Sequence, residues 1–421
     1  MRQGLRAIRI KRMRNPLKIG LWICITLALL PRVAGAQEIF QYKHRAGDTY
    51  RVISTVFQDV FIDRRLSHSA EILNRIAVEV LAEEGGVGRH RATFQTSERA
   101  VTAGAPGVSS IQSFQWAREY DSEFSRDRRG IMDVGARYFM PVVRNVPVFP
   151  ARALRPGDRW SHEGHEVHDF RDGFGIASPY VIPFVAFYEF LGEREWAGRM
   201  LPAFSVTYSI GLTPQPVPGR VFPRRIAGNS DQVVFWDLEL GQPVAYTEDF
   251  RYLFELSDGR TIEYRGWAQA EIVESLRMDR EGIAREIAED IARLGIEDVF
   301  VRVSDEGIII TLEDVQFQPD TTIMLEGEME KLQRIAEILA RYPERDILVG
   351  GHTALAGTAE GRMSLSIQRA AVVADYLIDL GARAPERVVV RGYGAERPVA
   401  DNATEEGMRR NRRVEITILE N

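Results

Sequence analysis

The sequence has a single cysteine, Cys24, and it sits inside an apolar run near the start. A lipoprotein cysteine ends such a run behind a small residue. Cys24 instead follows Ile23 and precedes six more apolar or small residues, so lipidation is not expected. The apolar run covers only Ile19 to Leu30, about a dozen residues, whereas a spanning helix needs ~20. An excess of positive charge is also missing. The formal net charge is -6, which excludes the basic footprint of a nucleic-acid binder, and no nucleic-acid partner is expected. Gly392-Tyr393-Gly394 lacks the following helix that a dinucleotide site needs, and no Gly-x-Ser-x-Gly nucleophile motif occurs. No cofactor and no catalytic residue is therefore expected.

What the first residues do contain is a basic stretch from Arg2 through Lys18, then the apolar run, then Pro31 and the triplet Ala34-Gly35-Ala36. This order is that of a signal peptide over residues 1–36, with cleavage expected after Ala36. The mature chain then has no thiol. Disulfides, thiolate zinc sites and a cysteine nucleophile are excluded with it.

From Gln37 to about Arg277 the pattern is β. Phe204, Val206, Tyr208, Ile210 and Leu212 alternate with Ser205, Thr207, Ser209 and Gly211. Gln232–Leu240 ends at Gly241-Gln242, Val244–Leu256 follows, and Ser257-Asp258-Gly259-Arg260 turns into Thr261–Ile272, as antiparallel hairpins do. His68–Glu84 reads equally well as strand or helix. Two Gly/Pro-rich breaks, Thr102–Ser109 and Thr213–Ser230, predict long exposed loops. Dense charge, as in Thr247-Glu248-Asp249-Phe250-Arg251, fits a soluble sandwich or half-barrel better than an outer-membrane barrel.

Ala46-Gly47-Asp48-Thr49-Tyr50 echoes Pro156-Gly157-Asp158-Arg159-Trp160. Turn chemistry is the simpler account of the echo, and a duplicated β unit is the alternative. The aromatics Phe184, Phe187, Tyr188 and Phe190 are expected in a core, with a ligand groove as the sharper alternative. His162, Glu163, His165, Glu166 and His168 resemble metal ligands in type only. On a strand, His162 and His168 share a face ~20 Å apart while His165 points away, so a solvated polar strand is expected and no metal site.

The last part of the chain, 278–421, alternates helix and strand. Asp279–Leu294 carries Ile283, Ile287, Ile291 and Leu294 at helical spacing and stops at Gly295. Val299–Val303 and Gly307–Leu312 read as strands. Thr321 to Arg341 reads as a helix capped by Asp320 or a following threonine, Ile347–Gly350 as a buried strand and Leu365–Leu380 as a second helix. Val388–Val390 and Val414–Ile418 read as the last strands. The expected class is α+β: an antiparallel β region over 37–277, then a β-α-β-α-β-β unit with helices on one side of its sheet.

Gly351-His352-Thr353, Leu365-Ser366 with Arg369-Ala370, and Tyr376-Leu377 resemble the OmpA C-terminal domain family. So do Arg391-Gly392-Tyr393-Gly394, Pro398, Asn402, Thr404, Gly407 and Asn411-Arg412-Arg413-Val414-Glu415-Ile416. The stretch Gly351 to Gly357 is similar to versions found in spirochaetes. The resemblance implies binding to the stem peptide of peptidoglycan. In the family an aspartate after Gly-His-Thr takes an ammonium of a diamino acid, and an arginine early in the second helix takes a carboxylate. Here the arginine is Arg369, and the aspartate position holds Ala354, beside Thr353. A methyl group cannot accept a hydrogen bond. Asp320 is expected to compensate in part. Asn411 and Arg412 border the site in the family.

The residues themselves give Arg369 a reason to bind an anion. With Ser366 as N-cap, Arg369 falls at the third helical position, beside unpaired amide groups. The expected protein is a non-enzymatic envelope anchor in the periplasm, associated with the outer membrane or the cell wall. The alternative is a β module that carries a lipid or contacts a partner, with wall binding altered or lost.

Overall fold

Strand alternation becomes a sheet here because most strands can pair with their sequence neighbours. A computed structural model describes residues 37–101, 113–216, 219–274, 278–304, 306–313, 315 and 324–419. The expected signal segment and Cys24 lie outside the described residues.

The β region begins with β1 (Thr49–Ile62), β2 (Arg65–Glu84), β3 (Val87–Val101), β4 (Phe114–Arg126), and the short β5 (Met132–Val134) and β6 (Val143–Arg144). After β7 (Arg159–His168) and the single turn α1 (Arg171–Phe174) come β8 (Tyr180–Trp196), β9 (Arg199–Leu212), β10 (Pro223–Asp237), β11 (Gln242–Leu256) and β12 (Thr261–Glu274). The antiparallel order β6-β7-β8-β9-β10-β11-β12-β1-β2-β3-β4-β5 is continuous. Tight two-residue turns at Asp63-Arg64, Gly85-Gly86 and Ala197-Gly198 all take positive φ, whose twist matches that of the flanking strands.

His68–Glu84 is strand: its length is used in pairing with both β1 and β3. The second Pro-rich break is shorter than expected. Residues from Pro223 to Ser230 belong to β10 and pair with β11, so this part of the break is strand. The proline tolerates this by standing first in its strand, where its missing N–H matters least. Of the aromatic cluster, Phe184, Tyr188 and Phe190 are buried, whereas Phe187 faces out beside Val181 and Val185.

The sequence echo extends further than turn chemistry requires. Gly47 N donates to Val80 O, Asp48 N to Arg45 O, and Val80 N to Asp48 O. Gly157 N donates to Phe190 O, Asp158 N to Arg155 O, and Phe190 N to Asp158 O. Both partner strands then shift register, at Val80/Ala82 and at Phe190/Gly192. Turn residues explain the glycine and the aspartate. They do not by themselves place a bulge at the same point of the partner strand, and the two segments share that local arrangement.

The C-terminal region contains α2 (Arg280–Leu294), β13 (Val299–Val303), β14 (Gly307–Glu313), α3 (Glu326–Leu339), β15 (Ile347–Gly351), α4 (Ala359–Asp379), β16 (Val388–Gly392), α5 (Glu405–Asn411) and β17 (Arg413–Leu419). Asp279 caps α2 through the Gly282 amide, and Gly295 ends it in the left-handed region. The sheet order is β13-β14-β17-β15-β16, with β15 and β16 parallel. Ile308, Ile310, Val349, Val390 and Ile416 share one core with Ile287, Leu332, Ile335 and Leu377 of the helices, which places α2, α3 and α4 on one face. Helix α3 starts at Glu326 behind Leu325, later than the sequence suggests, and no side chain among the described residues caps it. At its other end the buried Arg383 supplies donors to the carbonyls of Leu339, Tyr342 and Arg345. A guanidinium there meets both the unpaired carbonyls and the negative end of the helix dipole.

The β region and the C-terminal sheet are hydrogen-bonded to each other. Strand β4 runs parallel to β16, through Phe114 and Gln115 opposite Val389 and Val390. Arg391 lies 4.4 Å over the Trp116 ring.

Candidate functional site

The site lies where β15 and β16 end against the middle of α4. A methyl on Gly351 would collide with the Ser366 carbonyl, and one on Gly392 with the side chains of Ser366 and Ile367. Both glycines are therefore required for the strand ends to reach the helix. Thr353 N donates to Gly394 O at 2.8 Å, and Gly394 N donates to Ser366 Oγ at 3.0 Å. The turns after the two strands are thus tied to each other and to α4.

This geometry corrects the placement of Arg369. Helix α4 begins at Ala359, with Thr358 as N-cap accepting from the Gly361 amide. Ser366 lies in the helix interior, where its hydroxyl donates to Met363 O at 2.7 Å. Arg369 is more than two turns inside the helix, so unpaired N-terminal amides and the positive end of the dipole do not act on it.

Burial and a second guanidinium act on Arg369. Its side chain is half-buried, and its pKa is lowered first by burial and then by Arg412. Arg412 follows α5 and is also half-buried. Two cations in mutual range, partly removed from water, raise each other's energy and favour any anion placed between them.

Asn411 is 1% exposed and its carboxamide is used inside the fold. The oxygen accepts from Val399 N at 2.8 Å and Ala400 N at 3.0 Å. The nitrogen donates to Ala400 O at 2.8 Å and Asn402 Oδ1 at 2.9 Å. Asn402 Oδ1 in turn accepts from Leu355 N at 3.0 Å. Asn411 therefore orients the turn holding Thr353 and Ala354 rather than presenting a free group. Thr353 and Ala354 are buried, and Thr353 Oγ1 has no hydrogen-bond partner among the described residues. Asp320 lies outside the described residues.

Beneath the site a buried charge cluster fixes the end of β17. Arg413 Nε donates to Glu415 Oε1 at 2.8 Å, and Glu415 Oε2 lies 3.5 Å from His352 Nε2. Burial pushes the Glu415 pKa up, but His352 and Arg413 outweigh it and hold it at about 2. His352 stacks on Tyr393 with ring centroids 4.8 Å apart, and burial lowers its pKa.

A family model described as the OmpA family matches residues 316–412. The C-terminal region is an OmpA-like domain. Among relatives, Outer membrane porin F of Pseudomonas fluorescens is 39% identical over 105 residues, covering 25% of this chain and 32% of the porin. Peptidoglycan-binding protein ArfA of Mycobacterium bovis is 36% identical over 109 residues, covering 26% of this chain and 33% of that protein. The chain thus spans about a third of the length of these relatives. A solved structure of an outer membrane protein from Borrelia burgdorferi is 30% identical, covers 29% of this chain and 96% of its own, and has a TM-score of 0.24.

Within the OmpA-like domain, Gly351, Gly392, Ser366, Asn402 and Asn411 hold the strand ends and turns in place, while Arg369, Arg412 and Thr353 are the candidate polar groups. Sequence reasoning missed Asn402 as the link between Asn411 and the 353–355 turn, although its place in the motif was visible. It also missed Asp346, just before β15, which is buried among Arg51, Arg75 and Arg387 at 3.6, 2.8 and 3.2 Å. No local signal marks that residue, because two of its partners lie on β1 and β2.

Proposed function

We propose that this protein is a non-enzymatic component of the cell envelope, held in the periplasm by its OmpA-like domain, which binds the stem peptide of peptidoglycan. The supporting observation is the pair of half-buried guanidiniums, Arg369 and Arg412, which lie within electrostatic range of each other. In this reading the two arginines take a carboxylate of the stem peptide and Thr353 donates or accepts one hydrogen bond. Ala354 leaves the ammonium of a diamino acid without its usual acid. Asp320 supplies part of that charge. The relative ArfA carries peptidoglycan binding in its name, which favours the same ligand class here. Residues 37–277 form the second functional part, close to the outer membrane or the wall. Their continuous strand order favours a half-barrel over a sandwich.

The test is co-sedimentation of the purified chain with isolated sacculi, followed by titration with soluble stem peptides. Wild type is expected to co-sediment, and Arg369→Ala and Asp320→Ala each to bind more weakly. Equal binding by all three proteins rejects the assignment.

Ala354 also favours a second reading. A domain without the ammonium-binding acid serves as a scaffold, and ligand binding in the β region becomes the main activity. Failure of wild type to sediment with sacculi, together with recovery of a bound lipid, selects this reading.

A further inference from the structure

The β region encloses a cavity of about 400 Å³, within the range of small-molecule sites. Its walls come from one face of β10, β11, β12 and β1 through β4, and the segment 140–147 lies across it. Tyr50, Val52, Ile76, Val78, Phe94 and Ile272 make most of this wall apolar.

One end differs. Arg126, on β4, stands 4.8 Å from the Tyr42 ring centroid and 5.6 Å from that of Phe124. No carboxylate pairs with it among the described residues, and its hydrogen-bond contact is the weakly accepting sulfur of Met132 at 3.7 Å. His90 stacks on Phe124 at 5.1 Å, and His44 meets His90 edge-on at 5.1 Å. His90 is 2% exposed, and neither of its ring nitrogens has a hydrogen-bond partner among the described residues. The same holds for His44 Nε2 and Gln95 Nε2. Buried polar atoms without partners are rare in folded proteins and call for an explanation.

The opposite end is acidic. Glu248 there is held by Ser230 Oγ at 2.5 Å and Gln232 Nε2 at 3.2 Å. The sheet register places Glu248 on the row of Ile72 and His90 on the row of Val80. Those rows are eight residues apart along β2, or roughly 26 Å at the usual rise. Asp48 and Lys43 also line the cavity, Asp48 on the row of Val80, so the His90 end carries Arg126 and Lys43 against one carboxylate and suits an anion better than the Glu248 end.

We infer that this cavity binds a single-chain amphiphile, its hydrocarbon chain along the β wall and its anionic head among Arg126, His90 and His44. An apolar chain explains the lining. An anionic head gives Arg126 a counter-charge and gives the histidines an acceptor. Burial and the neighbouring Arg126 push the His90 pKa down to about 3, so the ring is neutral and donates through one N–H. The volume suits one chain better than two. The proposal stands independently of wall binding.

The experiment uses the purified full chain and a fluorescent polyene fatty acid as probe, with palmitate, lysophosphatidate and hexadecanol as competitors. We expect saturable one-to-one uptake, and displacement by the two acids at concentrations about tenfold below those needed for the alcohol, as a charge-assisted contact requires. The better of the two acids identifies the head as carboxylate or phosphate. Arg126→Gln is expected to bring both acids to the level of the alcohol and leave the alcohol unchanged. Ala270→Phe, which fills the wall, is expected to abolish probe uptake. Absence of saturable uptake overturns the proposal, as does equal competition by acid and alcohol in the wild type, which needs no variant to fold.

Discussion

Arg75 Nε lies 2.8 Å from Asp346 Oδ2, with the arginine 6% and the aspartate 1% exposed. The pair joins β2 of the β region to the segment that enters β15 of the OmpA-like domain. Arg51 and Arg387 complete a buried cluster of three cations on one carboxylate. Burial holds the Arg51 pKa at about 10 despite that carboxylate. Removing the single anion from such a cluster leaves uncompensated buried charge. Asp346→Ala is expected to cost about 3–5 kcal/mol. Denaturant unfolding of wild type and variant measures the difference, and a loss below ~1 kcal/mol would count against a shared counter-ion.

Arg369 and Arg412 lie near a like charge, each within range of the other. Arg412→Ala is expected to weaken sacculus binding about tenfold, the loss of one charge-assisted contact. Binding isotherms for wild type and variant check it, and unchanged affinity would remove Arg412 from the site.

Asn411 is expected to act through stability and order. Asn411→Ala removes four internal hydrogen bonds and leaves the Val399 and Ala400 amides unpaired, a loss of about 2–4 kcal/mol. Hydrogen exchange at those two amides, and at Leu355, should accelerate together. Acceleration at Val399 and Ala400 alone would break the proposed link through Asn402.

Acid should destabilise the fold in two stages. Burial lowers the pKa of His90 to about 3 and that of His352 as well, so both rings take up a proton less readily in the folded state than in the unfolded chain. Their contribution is present above the unfolded value near 6.5 and falls as the pH drops below it, over a window reaching about 3 for His90. Glu415 moves from 4.5 to about 2, so its contribution is lost between those values as the pH falls. That shift corresponds to roughly 3 kcal/mol. Chemical denaturation from pH 7 to pH 2 should show both stages, and Glu415→Gln should remove the lower one.

Much of the local structure was legible. The alternation of Phe204 to Leu212 gave a strand, and Asp279 with Gly295 bounded a helix, because each signal is complete within a few residues. Helix α4 was misread for a related reason. Thr358 and Ser366 are both good caps, and the choice between them depends on Gly394, a partner 28 residues from Ser366. Once the Ser366 hydroxyl is used by the strand turn, the helix starts at Thr358 and Arg369 moves into its interior.

The sequence by itself determined the strand and helix periods, the turn glycines and the motif residues of the OmpA-like domain. Only the tertiary structure decided that Arg369 meets Arg412, that Asp346 serves three arginines, and that His44, His90 and Arg126 share one end of a cavity. The reason is physical: periodicity is set by neighbours along the chain, whereas the meeting of distant side chains depends on strand register, and a shift of one residue would turn every one of them to the other face.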